Sequence, residues 1–196
     1  PEWTPAEILP THIASFTTNF MFYELTHSHF TYLGVLFLDT FSRAFGLPIV
    51  TVAGMMVLTH GFRPTIRLDV LLFLGTAIAT LVVLMDHFAP VLAVFLLAMW
   101  TIFTIFLIYF AYKLCEYGEK SHALGVLLAA ILNQTIAYMY DFYKIPGDET
   151  NIILNFYTLA LYTWAYLTVQ LYYSYCALER AIAATKEGHM NQAHQS

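Results

Sequence analysis

The stretch ASFTTNFMFYELTHSHFTYLGVLFLDT, residues 14–40, decides how this chain is folded. It is long and apolar enough to cross a bilayer, yet it holds Glu24, His27 and His29 near its middle. A hydrocarbon core of about 30 Å needs roughly 20 mostly apolar residues per helix. Read as a crossing helix, the segment is a first span at about 13–39. An ionisable pair then sits at membrane depth, where it is costly and usually marks a site, a pathway or a cofactor pocket. Read instead as an amphipathic helix over 11–29 on the interface, it leaves 31–60 as one span kinked around Pro48.

The rest of the chain sets the class. Of its 196 residues 59% are hydrophobic and 11% charged, against roughly 25% charged in a soluble domain. Further spans are expected at about 45–60, 68–86, 90–114, 121–143 and 151–178, separated by a loop that Arg63, Pro64 and Arg67 punctuate, by Pro90 and by Ile145-Pro146-Gly147-Asp148. The expectation is an all-α bundle of about six transmembrane helices over residues 1–180, with a polar, fraying tail over 181–196. The opening PEWTPAEILP carries neither a basic segment nor a following apolar core, so no secretory signal is expected there. Cys115 and Cys176 lack metal-site spacing and are expected as free thiols. With a net charge of −5 and no basic patch, nucleic acid is not an expected partner; the bilayer is, together with a homo-oligomer or a membrane-complex partner.

Basic residues give the orientation. With both termini cytoplasmic, Arg63, Arg67, Lys113, Lys120, Arg180 and Lys186 fall inside and only Arg43 and Lys144 outside, as the positive-inside rule asks.

Polar residues inside the spans point to function. Thr17, Glu24, His27, Ser28 and Thr31 share one helix face; Asn133 lies on the fifth span; Asn151, Asn155, Tyr162, Tyr166 and Tyr173 line a ridge on the sixth. Such groups must find partners in hydrocarbon, so a polar core between spans one, five and six is expected. The fourth span is nearly free of polar groups and is expected to face lipid or a flat subunit contact. Asp39 and Arg43, four apart, read as a structural clasp at the outer end of the first span.

Three chemistries fit. The first choice is a transporter or channel for a small solute or ion, with Glu24 and His27 as its proton-sensitive working pair and Thr17, Thr31, Asn133, Asn155 and Tyr162 lining the path. The alternative is a membrane oxidoreductase holding a transition metal or haem through His27, His29, Glu119 and His122, because Glu24-x-x-His27 and Glu119-x-x-His122 repeat a spacing used in bundle metal sites. A hydrolase using Ser28, Thr26 or Thr31 lacks any supporting motif. A structural subunit of a larger membrane assembly fits the 17% aromatic content equally well. Glu24→Gln is expected to abolish the pH dependence of solute flux in vesicles, with the purified protein colourless and metal-free. Stoichiometric metal or a Soret band would favour the redox chemistry instead.

Overall fold

The structure, a computed structural model, describes residue 25 and residues 28–61, 65–143 and 156–193. Among them are five helices and no strand: α1 (His29–His60), α2 (Ile66–Val83), α3 (Leu92–Glu116), α4 (Lys120–Phe142) and α5 (Phe156–Ala193). A short 3₁₀ turn, Asp86–Phe88, links α2 to α3. The helices α1, α2, α3 and residues Lys120–Tyr140 of α4 are each long and apolar enough to cross a membrane. The chain is therefore an all-α bundle with four candidate membrane spans among the described residues.

Burial follows a seven-residue repeat. On α3 the residues Leu96, Trp100, Phe103, Leu107, Phe110 and Leu114 are all nearly inaccessible, at alternating intervals of four and three. The same spacing on α4 selects Ala123, Val126, Ala130, Asn133 and Ala137, and on α5 selects Ala160, Trp164, Leu167, Leu171, Ser174 and Leu178. A strict heptad keeps one seam facing its neighbours along the whole helix. Large side chains on α3 meet alanines on α4, so the backbones can approach closely, which is how helices associate when lipid removes the hydrophobic drive. The apolar fourth span was expected to face lipid or another subunit; instead one stripe of it is the core of the bundle. Its other faces, with Ile102, Ile105 and Ile108, are exposed. That apolar exterior continues on α2 through Leu71, Leu74 and Ile78, and a surface of this kind is stable against lipid rather than water.

Polar contacts lock the seam. Thr104 donates to Gln134 Oε1 at 2.8 Å and Gln134 Nε2 donates to Thr101 at 3.1 Å, tying α3 to α4. Between α4 and α5, Gln170 Nε2 donates to the His122 carbonyl at 3.3 Å and Tyr166 donates to the Gly125 carbonyl at 3.3 Å. Gly125 is what admits Gln170: a Cβ there would overlap the Gln170 amide. The turn from α3 to α4 is a Schellman stop, with Gly118 at φ 85°, Gly118 N–H on the Cys115 carbonyl and Glu119 N–H on the Leu114 carbonyl.

Two expectations need correction. The spans at 13–39 and 45–60 are not separate where they meet: α1 runs unbroken through 40–44. Nothing in Thr40-Phe41-Ser42-Arg43-Ala44 breaks a helix, and Pro48 is absorbed by a change of register, with Ser42–Thr51 wound as π-helix. The wider turn moves the preceding carbonyl away from the proline ring, a clash that would cost about 3 kcal/mol in an α-helix. Side chains follow the five-residue spacing: Phe41 packs on Gly46, and Thr51 donates to the Gly46 carbonyl at 3.4 Å. The second correction is the tail, expected to fray over 181–196, which stays helical to Ala193. Ala177, Ala181, Ala183 and Ala184 have the highest helix propensity of any residue type.

Phe103→Ala, in the centre of the seam, is expected to lower stability in detergent by about 3 kcal/mol. Ile105→Ala, on the exposed face of the same helix, should change it by less than about 0.5 kcal/mol. Thermal unfolding of the two variants tests the assignment of faces.

Candidate functional site

Arg43 and Asp39 lie one turn apart on α1, and both are buried, 7% and 9% exposed. Arg43 Nη2 donates to Asp39 Oδ2 at 2.8 Å and Nε donates to the same oxygen at 3.2 Å. From α4, Tyr140 donates its hydroxyl to Asp39 Oδ1 at 3.4 Å. The Tyr140 ring also lies 4.0 Å from the Arg43 guanidinium carbon. One aromatic residue thus serves both charges: its face attracts the cation and its hydroxyl contacts the anion. Phe156, which opens α5, supports that ring edge-on at 5.3 Å.

Beside the pair is a small cavity lined by Arg43, Tyr140, Trp100, Trp164, Ile136 and Ala137, with Leu96 closing it. Its two tryptophans stack, with centroids 6.4 Å apart and ring planes within 6°. Trp100 Nε1 is buried and makes no hydrogen bond among the described residues. One heptad step deeper, Asn133 Nδ2 donates to the Ala129 carbonyl at 2.8 Å, while its Oδ1 is buried and unbonded. The heptad places these groups: Trp100 belongs to the α3 stripe, Ala137 and Asn133 to that of α4, and Trp164 to that of α5. The cluster lies towards the end of the bundle where α3 and α5 begin and α4 finishes.

Energetics separates this pair from a surface clasp. A lone arginine at the centre of a membrane helix costs about 2.5–3.5 kcal/mol on insertion scales. An adjacent carboxylate removes the net charge but adds its own desolvation, so the pair does not stabilise the fold by itself. Sequence reading found the spacing of Asp39 and Arg43. It set them at a helix end, whereas in the uninterrupted α1 they lie within the helix. Tyr140, Trp100 and Trp164 were not marked as partners; the signal for them was the heptad on α3 and α5, which puts them on the inward face.

The other expected site residues are distributed as follows. Glu24, His27, Thr17, Asn151 and Asn155 lie outside the described residues. His29 is exposed at the start of α1. Thr31 donates to the Ser28 carbonyl at 2.8 Å. Glu119 and His122 stand at the start of α4, about 27 Å along that helix from Tyr140 (eighteen residues at 1.5 Å each). α1 runs from Phe45, beside Phe95, to His60, beside Tyr109, so His29 lies away from the His122 end. No group of three or more His, Cys, Asp or Glu converges among the described residues. Asn133 is buried in the seam, whereas Tyr162 is 70% exposed and Tyr173 is also turned outward. Tyr162 falls between the buried heptad positions Ala160 and Trp164. The polar ridge of the sixth span therefore faces largely away from the core over its described part.

No protein-family model matches the chain, and no curated protein or solved structure is detectably similar to it.

Asp39→Asn or Arg43→Met alone is expected to cost about 3–5 kcal/mol, because each leaves a buried charge without its partner. The double variant Asp39→Leu/Arg43→Met should recover most of that loss. Denaturant titration in micelles reads the coupling; strictly additive losses would show that the two side chains do not act as a pair.

Proposed function

We propose that this chain moves a small solute or ion across a membrane, with Asp39, Arg43 and Tyr140 as its charged centre and the π-helical stretch of α1 as its moving part. The observation that carries this reading is the coincidence of the two on one helix. The buried ion pair sits at the entrance to a ten-residue segment that has left α-helical register. Ionisable groups inside membrane helices mark ion or substrate routes more often than they act as packing. π-Helical segments are enriched at functional positions, and broken membrane helices are a recurring device for binding and gating. A carrier needs a charge that can exchange partners and a backbone that can bend beside it; α1 supplies both.

Glu24 and His27, which precede α1 in the sequence, remain the proposed proton-sensitive pair. We take α1, continuous from His29 to His60, and α2 to α5 after it as all crossing. Alternation of the helices then collects Arg67, Lys113, Lys120, Arg180 and Lys186 on one side. That side is cytoplasmic by the positive-inside rule. The C-terminal end of α5 is then inside and the start of α1 outside. The metal or haem reading rests on His27, His29, Glu119 and His122. It is the weaker proposal, because the described members of that set stand at opposite ends of the bundle.

Vesicles carrying the protein, with an entrapped pH dye and a valinomycin-clamped potassium potential, test the proposal alongside chloride and rubidium tracer uptake. At least one flux is expected to exceed that of empty vesicles. Pro48→Ala, which favours ordinary α-helix through 42–51, should slow that flux several-fold while raising thermal stability. Fluxes equal to those of empty vesicles for all three tracers would sink the reading.

A further inference from the structure

We propose that the cavity between Trp100, Trp164, Arg43 and Tyr140 binds one neutral, water-sized hydrogen-bond acceptor: a buried water held by the Trp100 indole N–H. Trp100 is 2% exposed, lines the cavity, and its Nε1 has no partner among the described residues. An indole nitrogen is a donor only, so the missing partner is an acceptor. Buried donors without partners are rare in folded proteins, and an ordered water is the usual reason for an apparent one.

Size and charge narrow the occupant. The cavity leaves ≈ 10 Å³ for the centre of a water-sized molecule, about the smallest volume in which a water is accommodated. A stable internal water also needs two or more polar neighbours. Arg43 and Tyr140 line the same space, while Leu96, Ile136, Ala137 and the tryptophan rings make the rest of the wall apolar. Arg43 is matched by Asp39 at 2.8 Å, so the pair among the described residues carries no net charge to hold an anion. A hydrated ion does not fit, and a bare one would lose its hydration with nothing to replace it. This assignment is independent of any transport role: a structural bundle with the same cavity would bind the same water.

The test uses the full chain in micelles with ¹⁵N-labelled tryptophan and Trp3→Phe to leave two indole signals. Magnetisation transfer from water to each indole N–H is measured. The Trp100 N–H is expected to receive it directly despite its burial. Ala137→Val, which adds methyl groups into the cavity, should abolish the transfer to Trp100 and leave the Trp164 signal in place. Absence of transfer in the protein with native Ala137 would overturn the proposal. So would transfer that persists undiminished in a folded Ala137→Val variant. A saturable shift of the Trp100 signal with added chloride would replace the water by an anion and overturn the assignment of a neutral occupant. The chloride and native-Ala137 measurements decide the matter even where the valine variant does not fold.

Discussion

A guanidinium inside an apolar bundle needs a counter-charge, and much of this structure follows from how Arg43 finds one. Asp39 is its partner at i−4, a relation that exists only if the backbone is helical from 39 to 43. That requirement joins the two halves of α1 into one rod and rules out a loop at 40–44. With α1 continuous, the pair is carried against α4, where Tyr140 closes over both charges. Tyr140 holds this position because it continues the α4 heptad beyond Ala137, so the seam that packs α3, α4 and α5 also aims the phenol at the ion pair.

The stretch following Arg43 shows how a helix accepts a residue that should break it. Pro48 lacks an N–H and crowds the carbonyl one turn back. Widening the helix over Ser42–Thr51 relieves the crowding at the expense of backbone hydrogen-bond quality. Gly46 helps, since Phe41 can lie on it five residues earlier in the chain, and a methyl group there would press on the ring at 3.3 Å. Thr51 adds a side-chain hydrogen bond to the Gly46 carbonyl. Elsewhere, hydroxyls such as those of Thr76, Thr80, Thr135 and Thr168 bond back to carbonyls on their own helix, which satisfies them in a setting without water. The π segment is thus the one region of α1 where backbone register is traded against a fixed proline.

Composition and span length were enough to recognise a helical membrane bundle, because hydrocarbon permits so few ways of satisfying a backbone. The helices α2, α3 and α4 fall within a few residues of the expected spans for the same reason. Sequence reading left Pro48 open between the entry to a second span and a kink in one span over 31–60; the structure has one continuous helix, widened around the proline. The fourth span was misread because overall polarity says nothing about which face is buried; the 96, 100, 103, 107, 110, 114 pattern did say so. Asp39 and Arg43 were legible as a pair from their spacing, whereas their burial depended on the continuity of α1. The two tryptophans of the cavity were invisible to a search for ionisable groups, since an indole reads as a hydrophobe until its N–H is found without a partner.

The cavity itself follows from the same seam. Elsewhere along the seam α3 offers leucine or phenylalanine and α4 alanine, and these side chains are nearly inaccessible. At the level of Trp100 and Ala137 the α3 side chain is a flat ring stacked on a second flat ring from α5. Two parallel plates against an alanine cannot fill a rounded space as branched side chains do. The gap opens beside the ion pair because that is where α1 meets this layer with a guanidinium instead of a hydrocarbon. A water-sized gap with mostly apolar walls, next to a charge on a helix of altered register, is a local break in the packing of the seam.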